Sequence, residues 1–225
     1  VIVKICGITN VEDARHALDA GADWIGLNFV SGPRKIDVAT AKTILVQLDQ
    51  PARAVALVAM EDGSADPQLL NVLRSRGVAR LQLYGDVPAA TVAQLHTERF
   101  ETIVVRVIHN AASLDLLDSF LKTCGSRRPD YVLLDAPMAG RQGGTGRRFD
   151  WPMLAVAHER GRYAAWPPIL LAGGLTPDNV AEAIRILHPS GVDVSSGIES
   201  QPGKKDPAKV QAFIQAARAP VLTKK

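Results

Sequence analysis

The chain has 225 residues, 47% hydrophobic and 5% aromatic, so it can bury one sizeable core and is read as a single domain over 1–225. Its 26 Lys and Arg against 23 Asp and Glu leave a charge of +3, too small to argue for nucleic acid and suited to a small anionic ligand. Two cysteines without a C-x-x-C spacing exclude a disulfide framework, and no apolar run approaches a membrane span; with no signal-like N-terminus, the expected location is the cytoplasm.

Taken in chain order, apolar β-rich runs fall at 2–6, 24–29, 53–59, 79–83, 102–108, 130–135, 168–172 and 191–195. Amphipathic helical stretches separate them at 11–20, 38–49, 66–76, 88–97, 112–123, 150–160 and 177–187, with a last one at 207–218. Eight βα units of roughly 28 residues each predict an α/β fold, a (β/α)8 TIM barrel. The competing architecture is a doubly wound open sheet. It usually carries its glycine-rich phosphate loop after the first strand, whereas the glycine clusters here come late.

Polar residues collect at the carboxyl ends of these runs, which in a barrel form one rim. VIVKIC ends in Cys6, either an ordinary buried small residue or a thiol presented at a site. WIGLNFVSGPRK delivers Arg34, whose planar fork suits a carboxylate or phosphate if it is not simply solvated. Gln82 follows in ARLQLYGD. Asp135 closes YVLLD, either as a loop hydrogen-bonder or as an acid raised by desolvation, and GGTG with Gly144 comes after it.

Two late glycine loops admit a phosphate reading beside that of simple turns. In LLAGGLTPDN, Gly173 and Gly174 let backbone N–H groups approach a ligand, and Thr176 with Pro177 resembles an N-cap and first helical residue. In DVSSGIES, Ser195, Ser196 and Gly197 repeat that arrangement after the eighth strand. Lys4 shares a strand face with Cys6, and Asp193 with Ser195. If strands one and eight are neighbours, Lys4 and Asp193 can pair inside the barrel.

The segments KICGIT, SGPRK, QLYGD, LLD, GGTGRRFDW, LAGGLTPDNV and VDVSSGIESQPGKKD, in this order, resemble the phosphoribosylanthranilate isomerase family over nearly the whole chain. The resemblance implies an Amadori rearrangement of a phosphorylated small molecule in tryptophan biosynthesis, with no metal or cofactor. From charge and apolar-run length no nucleic-acid or membrane partner is expected, and the assembly is left open as monomer or homodimer. The resemblance further implies Cys6 as general base, Asp135 as general acid and Arg34 as the contact of the anthranilate carboxylate. Candidate substrate-binding positions are then Arg34, Gln82, Gly144, Gly173, Gly174, Asp193, Ser196 and Gly197. A thiol base would draw its ionisation from Lys4 and helix-dipole fields. Tyr84 stands where relatives often carry His, the third strand reads VALVAM, and Gly32 is inserted between Ser31 and Pro33. Two rivals remain: another phosphosugar barrel enzyme, which would put a lysine at the first strand end where Lys4 is two residues early, and a noncatalytic phosphate-binding barrel.

Overall fold

Eight of the apolar runs form parallel strands that close on themselves in sequence order in the computed structural model, which describes residues 1–60, 62–135 and 151–220. The barrel strands are β1 (Ile2–Ile5), β2 (Trp24–Asn28), β3 (Ala54–Ala59), β4 (Arg80–Tyr84), β5 (Glu101–Val107), β6 (Tyr131–Asp135), β7 (Ile169–Leu171) and β8 (Gly191–Val194). Around them lie α1 (Val11–Asp19), α2 (Val38–Val46), α3 (Pro67–Ser75), α4 (Ala89–Thr97), α5 (Ala111–Cys124), α6 (Trp151–Glu159), α7 (Val180–Leu187) and α8 (Pro207–Arg218). This is the (β/α)8 barrel, and the open sheet is excluded because β1 pairs with both β2 and β8.

The helix starts follow side-chain chemistry. Asn10, Asp37, Asp66, Asn110 and Asp206 each accept a backbone N–H of the first turn they precede. Two expected spans are too long. The α2 helix stops at Val46, where Gln47 and Leu48 bond back to Ile44 and Leu45 and tighten the last turn before Pro51. The α7 helix starts at Val180 rather than at 177, and Thr176 makes no side-chain cap. Instead the Asn179 side chain accepts the Thr176 N–H at 2.8 Å and donates to the Gly174 carbonyl at 3.0 Å, holding 174–179 as a turn.

Alternation along each strand divides the apolar residues into two cores. Outward side chains such as Val3, Ile25, Leu27, Leu81 and Val104 pack under the helices, while Trp24, Val55, Ile103, Val105, Leu133, Leu170 and Ala172 fill the lumen. At the amino end of the strands, Arg80 lies 4.6 Å over the Trp24 ring with its Nε 2.6 Å from Glu101, and Trp24 meets Tyr131 edge-on. These groups plug the bottom. Higher up the lumen turns polar: Lys4 and Gln82 are fully buried, and Lys4 Nζ donates to Asp193 Oδ1 at 2.8 Å. The ion pair expected from the sequence is therefore formed, and it bridges β1 and β8.

A hairpin that periodicity did not reveal follows β8. Strands β9 (Glu199–Gln201) and β10 (Lys204–Lys205) pair antiparallel and turn back toward the α1 end of the barrel. Thr9 Oγ1 donates to the Gly203 carbonyl at 2.6 Å, and the Lys205 N–H donates to Asp13 at 2.9 Å. No helix among the described residues is long and apolar enough to cross a membrane.

The lumen pair makes a stability prediction. Asp193 holds the Lys4 ammonium above the usual lysine range although burial opposes it, so the charge persists through neutral pH and is lost only as pH rises through that elevated value. Asp193→Asn strands the cation, and urea unfolding at pH 7 is expected to show a loss of about 3–5 kcal/mol. The double change Lys4→Met with Asp193→Leu is expected to recover most of it, because an apolar pair carries no desolvation cost.

Candidate active site

Cys6 begins the loop after β1, where its N–H donates to the Val194 carbonyl at 2.8 Å and its sulfur faces the lumen two residues above Lys4. The Lys4 ammonium, which donates to Asp193, lies beside the sulfur, both within 3.0 Å of where a Cβ on Gly26 would stand. The thiol is only 6% exposed. Burial, and then the Asp193 charge, push the Cys6 pKa up, while Lys4 and Lys205 pull it down. Lys4, expected from the sequence to favour the thiolate, does pull in that direction. In the folded protein desolvation outweighs the two cations.

Glycine at position 26 on β2 is explained by the same two side chains. A Cβ built there would lie 2.8 Å from the Cys6 sulfur and 3.0 Å from Lys4 Nζ. The space that a side chain would take is occupied by the thiol and its ammonium neighbour.

Arg34 reaches the same mouth despite the inserted Gly32. A Cβ on Gly7 would meet Arg34 Cδ at 2.5 Å and Ser195 Oγ at 3.0 Å, so the arginine stem lies across the turn after Cys6. Its Nε and Nη2 donate to the two carboxylate oxygens of Glu199 at 2.7 and 2.6 Å. That leaves most of its five N–H donors for another anion. Lys205 Nζ donates to Glu199 Oε1 at 2.9 Å and to the Ser195 carbonyl at 3.2 Å. Burial would raise the Glu199 pKa, but Arg34 and Lys205 together hold it below the usual carboxylate range.

Across the lumen, Gln82 Nε2 donates to the Tyr84 hydroxyl at 3.0 Å. Burial is the main cause that pushes the Tyr84 phenol far above its ordinary value, and the charges of Cys6, Asp193 and Asp135 add to it. The phenol is neutral at any physiological pH. Cys6 lies two residues beyond the lumen residue Lys4 and Asp135 two beyond Leu133, at the carboxyl ends of parallel strands, so they face the same mouth. Asp135 is half-buried at the end of β6. Gln82 Oε1 and Ser195 Oγ are buried with no hydrogen-bond partner among the described residues.

The glycine loops meet. Gly173 and Gly174 adopt φ of 88° and 67° after β7, and Ser196–Ile198 form a short 3₁₀ turn after β8. A Cβ on Gly197 would fall 1.9 Å from the Leu175 carbonyl, so only glycine permits this approach of the two loops. Gly174 and Ser196 are both exposed. The expected Gly144, with the rest of GGTG, lies outside the described residues. Of the remaining expected positions, Cys6, Arg34, Asp135, Gly173, Gly174, Ser196 and Gly197 stand at the strand ends, whereas Gln82 and Asp193 lie one step deeper, in the lumen. Glu199 and Lys205 were missed. Their one sequence signal is the opposite charge placed on either side of a Pro-Gly turn.

Comparison with known proteins gives a consistent result. The family model described as N-(5'phosphoribosyl)anthranilate (PRA) isomerase matches residues 3–216. The chain is 38% identical to N-(5'-phosphoribosyl)anthranilate isomerase of Moorella thermoacetica over 97% of its own length and 90% of the relative's. It is 40% identical to that of Neisseria meningitidis serogroup A, covering 95% of each. Among solved structures, phosphoribosyl anthranilate isomerase from Thermotoga maritima superposes with a TM-score of 0.79 at 32% identity, over 97% of this chain and 98% of that one. A phosphoribosyl anthranilate isomerase in complex with reduced 1-(o-carboxyphenylamino)-1-deoxyribulose 5-phosphate superposes with a TM-score of 0.77 at 30% identity, with the same coverage.

Gly26→Ala tests whether the crowding at Cys6 and Lys4 sets their positions. The added methyl must displace the thiol or the ammonium, at an overpacking cost of about 1–3 kcal/mol. Circular dichroism is expected to show a folded barrel whose melting temperature is lowered, while steady-state turnover drops about 10²-fold, the effect of misplacing a reacting group by about 1 Å.

Proposed function

The chain belongs to the N-(5'-phosphoribosyl)anthranilate isomerase family, and we propose that Cys6 and Asp135 are the base and acid with which it performs that family's reaction. The reaction is the Amadori rearrangement of N-(5-phosphoribosyl)anthranilate to 1-(2-carboxyphenylamino)-1-deoxyribulose 5-phosphate, a step of tryptophan biosynthesis. The observation that supports the two roles is their placement, Cys6 just after β1 and Asp135 at the end of β6, both on the inward register at the carboxyl ends of the barrel strands.

Opening the ribose needs a proton on the ring oxygen as the C1′–O bond breaks, and Asp135 supplies it while the anilino nitrogen donates its electron pair to leave a Schiff base. Cys6, as the thiolate, then removes the C2′ proton, and the electron pair moves to give an enolamine. Transfer of the enol proton to C1′ completes the ketose. One proton is given and one taken, so the sequence calls for no redox or metal chemistry. Holding the sugar between the two groups supplies the orientation that makes such transfers fast.

Binding divides by charge. Arg34 takes the anthranilate carboxylate with the donors that Glu199 does not use. The touching loops at Gly173–Gly174 and Ser196–Gly197 take the phosphate through backbone N–H groups. Gln82 and Asp193 support the floor of the site, and the Gln82 carbonyl suits a sugar hydroxyl. We read the whole chain, 1–225, as one barrel domain acting in the cytoplasm as a monomer or homodimer.

Loss of anthranilate fluorescence on turnover checks each role. Cys6→Ala and Asp135→Asn are expected to lower kcat by about 10²–10⁴-fold with the fold retained. A Cys6→Ala protein turning over at the wild-type rate would make Cys6 a packing residue. Arg34→Ala is expected to raise KM about 10- to 100-fold, the value of a charge-assisted fork, while inorganic phosphate still binds.

The pH profile has a definite sign. The thiol pKa is raised and the deprotonated form is the base, so the thiolate fraction grows with pH below that value. The thiolate limb of kcat/KM is expected on the alkaline side of the ordinary thiol range, opposed by the limb of the Asp135 acid, and is expected to vanish in Cys6→Ser.

A further inference from the structure

We propose that Glu199 and Lys205 are a positioning pair for this reaction: Glu199 fixes the Arg34 fork toward the substrate carboxylate, and Lys205 supplies the charge that draws Cys6 toward its thiolate. The proposal rests on the roles given to Cys6 and Arg34 above.

The geometry has three parts. First, Glu199 uses both carboxylate oxygens on Arg34 and shares Oε1 with Lys205, so one anion holds two cations. Their side chains are nearly sealed, Glu199 at 5% and Lys205 at 2% exposure. Second, the other Lys205 contact is the carbonyl of Ser195. The register pairs Lys4 with Asp193 and Ile5 with Val194, which makes Ser195 the lateral neighbour of Cys6. Third, the hairpin is tied down along its length: Thr9 to Gly203, Lys205 N–H to Asp13, and Lys209 Nζ to the Glu199 carbonyl at 3.0 Å. The charges are thus carried on a fixed support.

Energetics argue against a purely structural role. A buried lysine pays a desolvation cost that an apolar residue of similar length would avoid. Burial does lower the Lys205 pKa, and Arg34 lowers it further, while Glu199 and Cys6 raise it. The groups facing Cys6 are Lys4 from β1, Asp193 from β8, Lys205 from β10 and Arg34 from the loop after β2, with Tyr84 from β4 opposite. Glu199 from β9 reaches it through Arg34 and Lys205, and Asp135 from β6 through their shared neighbour Tyr84. Lys4 is already matched by Asp193 at 2.8 Å, and Glu199 is divided between two cations. Among these three cations and two anions one positive charge is left over in the free enzyme, before Arg34 takes the substrate carboxylate, and an ionised sulfur is a group that matches it.

The test is a titration of Cys6 in a Cys124→Ser background, followed by thiolate absorbance at 240 nm against the same protein carrying Cys6→Ser. Lys205→Met is expected to move the titration to higher pH and to lower kcat/KM at pH 7 about tenfold with little change in KM; Lys205→Arg is expected to restore both. Glu199→Gln is expected to raise KM about tenfold. If Lys205→Met does not fold, Lys205→Gln takes its place. A folded neutral variant whose thiol titrates as in the parent, or a Glu199→Gln protein with parental KM, would overturn the proposal. A shifted titration with an unshifted kcat/KM profile would leave Lys205 as the source of the charge, and would instead remove Cys6 as the base.

Discussion

The Lys4–Asp193 ion pair is the constraint on which the rest of the site depends. It joins the first and last barrel strands across a sequence separation of 189 residues and is sealed from water. It also presents an ammonium to the underside of Cys6, and it accounts for a glycine at position 26 on the next strand. A pair of this kind adds little to stability for its own sake, since desolvation offsets most of the attraction. Its value lies in fixing what stands above it.

Below and above this pair the lumen has different chemistry. Trp24, Arg80, Glu101 and Tyr131 close the amino end of the strands with rings meeting edge-on or paired against charge. Toward the carboxyl end the inward positions become Gln82, Tyr84, Asp193 and Ser195, and polar atoms are left buried with no partner among the described residues. Such groups cost free energy in a folded chain, and a binding mouth is where that cost is repaid. The barrel therefore concentrates packing at one end and reactivity at the other.

Most of this architecture was legible in the sequence because strand and helix periods differ. All eight barrel strands lie within two residues of their expected bounds, and Cys6 and Asp135 stood out as polar groups closing apolar runs, with Arg34 in the loop after the second. The shortened α7 was not legible, because Asn179 folds its side chain back onto Thr176 and Gly174 in place of a Thr176 cap. Nor was the β9–β10 hairpin, whose strands of three and two residues are too short to show a period. The balance that sets the ionisation of Cys6 was not legible for a different reason. It sets burial against several charges brought together from distant parts of the chain, and a sequence carries no distances.

The joining of β1 to β8 also governs when this site comes into being. As the chain emerges from the ribosome, Cys6 is made long before its neighbours Asp193 and Lys205, which come from β8 and the hairpin that follows it. Until they arrive the barrel is an open sheet with β1 unpaired on one side, an edge that invites wrong partners. In that interval the Cys6 thiol is also free of the burial that later shelters it, and so is accessible to oxidants. Closure of the final strand both completes the catalyst and ends this period of exposure, so slow synthesis or truncation past β7 penalises the nascent chain twice.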